Sequence, residues 1–122
     1  MKNGHRLAFL VVEVEPGQAL STRKLLLEGA KHNVLTAHSP EEGLRMFQRF
    51  PQVDVVAIDG SFGDSVCSKL AEEVRRENKN VPIVGFIPKV GARCSWADKT
   101  TNSHDPAGLL KLLEKMGGRT KI

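Results

Sequence analysis

The stretch that decides the fold is VDVVAIDGSFGD, residues 53–64. Its apolar run stops abruptly at one acid, Asp59, and a loop of small residues follows. A short apolar run of this kind is typical of a strand buried on both faces of a parallel sheet. The rest of the sequence must decide whether Asp59 is a reactive carboxylate at a site or a polar residue that ends a strand.

Four other stretches have the character of strands. LAFLVVEV and VPIVGFI are apolar runs typical of buried strands, and NVLTA is a shorter one. The polar KTTNS is a candidate edge strand. In chain order, these strands are predicted at Leu7–Val14, Asn33–Ala37, Val81–Ile87 and residues 99–103.

Helices are predicted between these strands. Pro16 opens the first, and Ser39, Pro40 and Glu42 form a capping signal for the second. Asp64 is a candidate cap for the third helix, and the pair Asp105–Pro106 starts the last. Three helices have a predicted buried side, which comprises Leu44, Phe47 and Phe50 in the second helix, Val66, Leu70 and Val74 in the third, and Leu109, Leu110, Leu112, Leu113 and Met116 in the last. Gly117 and Gly118 are predicted to end the last helix.

Alternating strands and helices predict a doubly wound α/β domain, a parallel sheet covered by helices on both faces. In such sheets ligands bind beyond the carboxyl ends of the strands. Glu13 and Glu15 follow the first strand, and Asp59 follows the third. The sequence therefore predicts a crevice with three carboxylates.

Length and composition indicate one domain, residues 1–118, followed by a tail or the start of a linker at 119–122. No stretch is apolar for long enough to cross a bilayer, so no membrane association is expected. Cys67 and Cys94 have neither metal-binding nor redox spacing, which favours free thiols and a cytoplasmic location. The net charge of +4 is dispersed and aromatic residues are 5% of the chain, which argues against nucleic-acid binding by this domain.

The order of these motifs resembles bacterial response-regulator receiver domains over nearly the whole chain. LVVEVEP is similar to the family's first strand with its acidic pair, and VDVVAID to the strand that ends in the phosphoryl-accepting aspartate. VPIVGFI resembles strand four, and ADKTTNSHDPAGLL loosely resembles strand five and the last helix. The resemblance implies a flavodoxin-like fold in three α/β/α layers with five parallel strands in the order 2-1-3-4-5. Because the segment from Ile87 to Ala97 is short, helix four is expected to be shortened.

The resemblance also implies a chemistry in which Asp59 accepts a phosphoryl group. In the family, an acid pair holds a Mg²⁺ ion, and a hydroxyl on strand four and a lysine on strand five neutralise the phosphoryl oxygens. In this chain Glu13, Glu15 and Asp59 are the candidate Mg²⁺ ligands. Val14, however, stands where the second acid of the pair is expected, and Ile87 where the hydroxyl is expected.

Two further positions depart from the family pattern. The strand-five lysine is absent, with Ser103 or a neighbour in its place, and Gly63 replaces a proline four residues after Asp59. Lys89 or Lys99 is a remote candidate to replace the missing lysine. We therefore expect no cofactor, with Mg²⁺ as the exception, and no independent enzymatic turnover.

The leading hypothesis is a pseudo-receiver, a signalling module of two-component or phosphorelay pathways that docks on proteins without phosphorylation. Its partner would be a histidine kinase, a phosphotransfer domain or an output domain. A dimer of this chain is a further alternative. The predicted partner surface comprises Trp96, Lys99 and Ser103, although the pattern around Trp96 favours a core anchor of the shortened segment over an exposed contact residue. One alternative is a working atypical receiver phosphorylated on Asp59 with Mg²⁺. A more distant alternative is a flavodoxin-like small-molecule binder, which the lack of a glycine-rich cradle disfavours.

Overall fold

The computed structural model describes residues 6–14, 22–87, 94–102 and 106–119. Five strands form there: β1 (Ala8–Val12), β2 (Asn33–Ala37), β3 (Val55–Asp59), β4 (Ile83–Ile87) and β5 (Lys99–Asn102). Four α-helices accompany them: α1 (Thr22–Gly29), α2 (Pro40–Arg49), α3 (Asp64–Glu77) and α4 (Pro106–Arg119), with a single 3-10 turn at Gly60–Phe62. The predicted helix start at Pro16 and the predicted cap at Asp105 lie outside the described residues.

The strands form one parallel sheet in the order β2-β1-β3-β4-β5, which confirms the predicted topology. Neighbouring strands are in a defined register, with Val12 paired to Ile58 and Asp59 paired to Phe86. Consequently the carboxyl ends of β1, β3 and β4 lie at one edge of the sheet, as expected for parallel strands.

Successive residues of each central strand enter opposite hydrophobic cores, because side chains alternate across a sheet. Leu10 and Val12 of β1 pack with residues of α2 and α3, whereas Phe9 and Val11 pack with residues of α1 and α4. All four of these β1 side chains are fully buried. Burial on both faces explains why the strands read as continuous apolar runs, and it confirms the three-layer architecture.

The start of α2 is close to the predicted capping arrangement. Ser39 Oγ accepts a hydrogen bond from the Glu42 amide at 3.1 Å, and Pro40 occupies the first turn. Glu42 Oε1 accepts from the amide of His38 at 2.9 Å, one residue before the predicted partner. The side chains thus pair two amides at this helix start, which stabilises it as a capping box does.

Three helical predictions are wrong. Phe50 and Val66 are 40% and 43% exposed, so neither belongs to the buried side of its helix. In α3 that side is made by Cys67, Leu70, Ala71 and Val74. Asp64 does not cap α3 either: it is the first helical residue, Gly63 is the N-cap residue, and no side-chain cap hydrogen bond is present.

The end of α4 also differs from the prediction, because the helix continues through Gly117 and Gly118 to Arg119. A Cβ atom at Gly117 would lie 2.9 Å from Leu7 Cδ1 and 3.4 Å from Asp54 Cβ. Glycine therefore serves close packing of α4 on the sheet, and its effect on helix propensity is outweighed by that packing.

The described part of the β4–β5 connection, Cys94–Asp98, contains turns and no helix. Trp96 lies over the middle of β4, where a Cβ atom added to Gly85 would be 2.9 Å from Trp96 Cη2. Asp98, the last residue of this segment before β5, is bonded to the start of β4. Its amide donates to the carbonyl of Ile83 at 2.8 Å, and its Oδ2 accepts from the Ile83 amide at 2.8 Å. A buried indole therefore covers this part of the sheet, whereas residues 88–93, where the shortened helix is expected, lie outside the described residues.

Candidate functional site

Two buried acids lie side by side at the carboxyl edge of the sheet. Glu13 directly follows Val12 of β1, Asp59 directly follows Ile58 of β3, and Val12 is paired with Ile58. Glu13 is 3% exposed and Asp59 6% exposed. The register thus sets the residues Glu13 and Asp59 at the same edge of the sheet.

Asp59 both ends β3 and caps the turn after it. Its Oδ1 accepts a hydrogen bond from the Ser61 amide at 2.9 Å, as the N-cap residue of the 3-10 turn. Its carbonyl oxygen accepts from Cys67 Sγ at 3.3 Å, which ties the strand end to α3. The first contact fixes the carboxylate and the second fixes the strand end that carries it, as both a phosphoryl acceptor and a structural cap require.

Glu13 is held through its backbone as well as by burial. Its amide donates to the carbonyl of Ala37 at 2.9 Å, and its own carbonyl lies 3.4 Å from His38 Nδ1. The next residue, Val14, is 48% exposed. An aliphatic side chain thus faces solvent where the receiver pattern has its second acid.

The residues described at this edge include two of the three candidate magnesium ligands. Within those ranges, no group of three or more His, Cys, Asp or Glu side chains is placed to hold a metal ion. Glu13 and Asp59 supply two carboxylates, and Mg²⁺ commonly completes such a pair with waters and substrate oxygens. Glu15, the third candidate ligand, lies outside the described residues. We therefore derive no chemical step through Mg²⁺.

The candidate groups to neutralise a phosphoryl group are replaced by an aliphatic residue, lie outside the described residues or, for Lys99, lie toward the amino end of the strands. Ile87 ends β4, one residue after Phe86, which is paired with Asp59. Its side chain packs against the core on the α2 and α3 side and has no hydrogen-bond donor. Ser103 and Lys89 lie outside the described residues, and Lys99 begins β5 as an exposed residue.

Two thiols lie beneath this edge, a proximity that sequence spacing did not indicate. Burial raises the pKa of the Cys67 thiol to about 12, with smaller contributions from Cys94, Asp59 and Asp64. Burial also raises the pKa of Cys94, with contributions from Asp64 and Asp59. Both are free cysteines, and a protonated thiol is a poor nucleophile and a poor metal ligand. These side chains therefore belong to the core beneath the site.

The predicted partner surface is corrected at Trp96. The indole is 5% exposed and belongs to the core on the α2 and α3 side, so it is the core anchor of the shortened connection. Sequence periodicity could not place it, because the segment has no regular pattern. Lys99 is exposed, whereas Ser103 lies outside the described residues.

Similarity to known proteins is found in structure and not in sequence. No protein-family model and no curated protein sequence matches the chain. The receiver domain of a sensor histidine kinase from Pseudomonas aeruginosa, solved with a magnesium ion coordinated in its active-site cleft, matches with a TM-score of 0.80 at 17% identity, covering 93% of this chain and 99% of that one. A response-regulator receiver domain from Clostridium thermocellum matches with a TM-score of 0.80 at 23% identity, covering 94% and 97%.

A CheY-like receiver domain from Methanospirillum hungatei matches with a TM-score of 0.78 at 20% identity, covering 96% of this chain and 98% of that one. These matches span nearly the whole of each chain, so this protein has the fold of response-regulator receiver domains. At such identities the likeness concerns the fold, and function must be argued from the site. None of the helices in the described ranges is long and apolar enough to span a bilayer.

Proposed function

We propose that the protein is a receiver-like module of two-component or phosphorelay signalling that docks on protein partners without being phosphorylated. One observation carries the proposal: aliphatic side chains, Val14 and Ile87, stand beside a retained pair of buried acids. The acids Glu13 and Asp59 keep the positions expected of a receiver, while the groups that would offset the charge of a phosphoryl group are replaced. Such a domain retains a folded surface and loses the reaction.

Electrostatics supports this choice between docking and phosphorylation. A carboxylate that attacks a phosphoryl group meets another anion, so catalysis depends on positioned cations and hydrogen-bond donors. Loss of one such donor costs on the order of 3 kcal/mol of transition-state stabilisation, or about a hundredfold in rate. Here Ile87 offers no hydroxyl and Val14 no metal ligand, and the two losses need not be additive. We therefore expect neither efficient phosphoryl uptake nor enzymatic turnover.

The test is intact-mass analysis after incubation with acetyl phosphate and Mg²⁺. We expect no phosphoryl adduct on the native chain, and no difference from an Asp59→Asn variant treated in the same way. An adduct on the native chain that is absent from the variant would show that Asp59 is phosphorylated. That result would replace docking without phosphorylation by the working atypical receiver.

The working atypical receiver is the second candidate, supported by the pairing of Val12 with Ile58, which directly precede Glu13 and Asp59. A titration with beryllofluoride and Mg²⁺, followed by backbone amide resonances, distinguishes the two candidates without catalysis. A working receiver would show saturable shifts at Asp59 and at the 3-10 turn after it, whereas a pseudo-receiver would show none. The amides of α1, the helix that connects β1 to β2, serve as internal references.

A further inference from the structure

Two free thiols lie in the same hydrophobic core beneath the carboxyl edge of the sheet. Cys67 belongs to α3 and is fully buried, whereas Cys94 belongs to the β4–β5 connection and is 6% exposed. The two residues are distant in sequence and come from different elements. Neither thiol is used by the proposed function, so their proximity calls for a separate explanation.

The register of the central strands sets how far apart the two sulfur atoms lie. Cys67 Sγ is 3.3 Å from the carbonyl oxygen of Asp59. Cys94 Sγ is 3.9 Å from the carbonyl oxygen of Phe86. Asp59 and Phe86 are paired across β3 and β4, and both cysteines pack on the same face of the sheet. The sulfurs are therefore separated by on the order of one strand spacing, roughly 5 Å.

A position without a side chain lets Cys94 lie close to the sheet. A Cβ atom added to Gly85 would be 2.9 Å from Cys94 Cβ, and Gly85 is paired with Ile58, the residue before Asp59. A disulfide requires Cβ atoms about 3.8 Å apart and sulfurs about 2 Å apart. Rotation of one cysteine between staggered rotamers moves its sulfur by roughly 3 Å, which is the size of the adjustment needed.

We propose that Cys67 and Cys94 form a reversible disulfide by exchange with a small-molecule disulfide of the glutathione class. Cys94, the more exposed thiol, loses its proton and attacks one sulfur of glutathione disulfide, whose S–S bond breaks. One glutathione leaves as a thiolate and takes up the proton. Cys67 then loses its proton and attacks the Cys94 sulfur, which releases the second glutathione. The two protein thiols are oxidised by two electrons in total, and one glutathione disulfide is reduced to two glutathione molecules.

Burial controls how fast this exchange can proceed. It raises the pKa of Cys67 to about 12 and also raises the pKa of Cys94. Because the thiolate is the attacking species, the closed chain reacts slowly. Exchange requires local opening of Cys94–Asp98, a segment without regular structure. The pair therefore responds to a sustained oxidising environment, and a brief pulse of oxidant leaves it reduced.

Oxidation of this pair also changes the strand end that carries Asp59. In the reduced chain Cys67 donates its S–H to the Asp59 carbonyl oxygen. A disulfide sulfur has no proton to donate, so Asp59 loses this contact. At the same time Cys94–Asp98 becomes covalently joined to α3. The inference does not depend on whether Asp59 is phosphorylated.

The test equilibrates the full native chain with a series of ratios of reduced to oxidised glutathione, and acid stops the exchange. We expect a mass loss of about 2 Da, which is two hydrogen atoms. A tryptic digest without reductant should link the peptide of residues 50–69 to that of residues 94–99. Glutathione adducts on both cysteines without a link between them would overturn the proposal.

The same equilibration in denaturant shows whether the fold brings the thiols together. The native chain should form the disulfide at a ratio of reduced to oxidised glutathione at least about tenfold higher than the denatured chain, because its thiols have the higher effective concentration. Equal ratios for the two states, or easier oxidation of the denatured chain, would show that the native geometry opposes the bond and would overturn the proposal.

Single-cysteine variants test the order of attack. Cys67→Ala leaves Cys94 without a second thiol to resolve its adduct, so it should accumulate a mixed disulfide with glutathione. Cys94→Ala leaves the fully buried Cys67, which should be modified at least about fivefold more slowly. Faster modification of Cys67 would contradict the order proposed. Hydrogen exchange on the native chain needs no substitution: amides of Cys94–Asp98 should exchange at least about tenfold more slowly after oxidation, and unchanged rates would contradict the link to α3.

Discussion

At the scale of single residues, Asp59 ends a strand and stands at the same edge of the sheet as a second buried acid. It ends a buried strand and caps the turn that follows, with its Oδ1 2.9 Å from the Ser61 amide. It also lies next to Glu13, where a receiver holds its acceptor. A well-placed carboxylate is not reactive by itself, because phosphoryl transfer requires positive charge and donors around it. Its neighbours therefore decide its chemistry.

The first prediction restores those neighbours. The double variant Val14→Asp, Ile87→Thr should raise the phosphoryl adduct formed with acetyl phosphate and Mg²⁺ above the level of the native chain. The new carboxylate adds an oxygen ligand for the metal, and the hydroxyl adds a donor for the phosphoryl group, each of which contributes up to about a hundredfold in such sites. Intact-mass analysis measures the adduct.

The matched control for this prediction is Val14→Asn, Ile87→Val, which retains similar volumes but adds neither a carboxylate nor a hydroxyl. It should behave as the native chain does. If the restored and control variants form equal amounts of adduct, the aliphatic replacements are not what limits the reaction.

The second prediction concerns the buried thiol under Asp59. The pKa of Cys67 is raised by burial from 9.0 to about 12 in the folded chain. The unfolded state therefore loses this proton first, so stability is retained below pH 9 and falls as the pH rises from 9 toward about 12. Chemical denaturation at a series of pH values measures the slope.

A Cys67→Ala variant isolates this contribution, and the chain has no tyrosine to titrate in the same range. The variant should be less stable at pH 8 because it leaves a cavity, but its stability should fall less steeply above pH 9. Identical slopes for the two proteins would contradict the assigned cause. Thiol labelling of the native chain near neutral pH should be slow for the same reason.

At the scale of elements, Cys94–Asp98, the described part of the β4–β5 connection, packs on the sheet without regular structure. Trp96 and Cys94 are 5% and 6% exposed and cover Gly85 in the middle of β4. Arg75 of α3 also reaches this segment, with its Nη2 3.2 Å from Asp98 Oδ1. In the described part of this connection, one large indole packs against a position without a side chain.

The third prediction tests the close packing of Trp96 and Cys94 against Gly85. Gly85→Ala should destabilise the domain by about 1–3 kcal/mol, because overpacking a tight core forces its neighbours to shift. The added Cβ atom would lie 2.9 Å from both Cys94 Cβ and Trp96 Cη2. Gly29→Ala is the control, since no atom lies within 4 Å of a Cβ atom at that position. Comparable stability of the two variants in chemical denaturation would contradict the close packing.

At the scale of the whole molecule, one buried histidine joins three parts of the chain at the edge opposite the candidate site. His32 Nδ1 accepts a hydrogen bond from the Leu7 amide at 3.1 Å, before β1. Its Nε2 lies 2.7 Å from Glu114 Oε2 on α4. Because Nδ1 acts as an acceptor, Nε2 carries the proton and donates to the carboxylate. The Phe9 ring packs edge-on against the imidazole, with ring centroids 5.2 Å apart.

The fourth prediction follows from this arrangement. His32→Ala should cost about 1–3 kcal/mol, since it leaves the buried Leu7 amide without its acceptor. Glu114→Gln should cost less, because the amide oxygen still accepts from Nε2 and Glu114 is 43% exposed. Equal losses would show that the contact with α4, and not the one with β1, is the important one. Hydrogen exchange at the Leu7 amide provides an independent measurement.

The sequence by itself determined the parts of the molecule that depend on local pattern. Apolar runs located the central strands, and VDVVAID placed Asp59 at a strand end. Ser39 and Pro40 marked the start of α2, and alternating strands and helices gave the parallel sheet. These features are readable because the strand period, capping hydrogen bonds and handed crossovers are properties of short segments.

Tertiary structure decided which side chains are buried and which acids meet. Val66 and Phe50 fit the apolar period of their helices but face solvent, while Cys67 is buried instead. Trp96 covers Gly85 in a segment without any pattern, and Gly117 lies within a helix that it was expected to end. The helical repeat of apolar residues sets their spacing along a helix, but the elements packed against the helix decide which of these residues face the core. For the same reason Glu13 lies next to Asp59 only because β1 and β3 pair in that register.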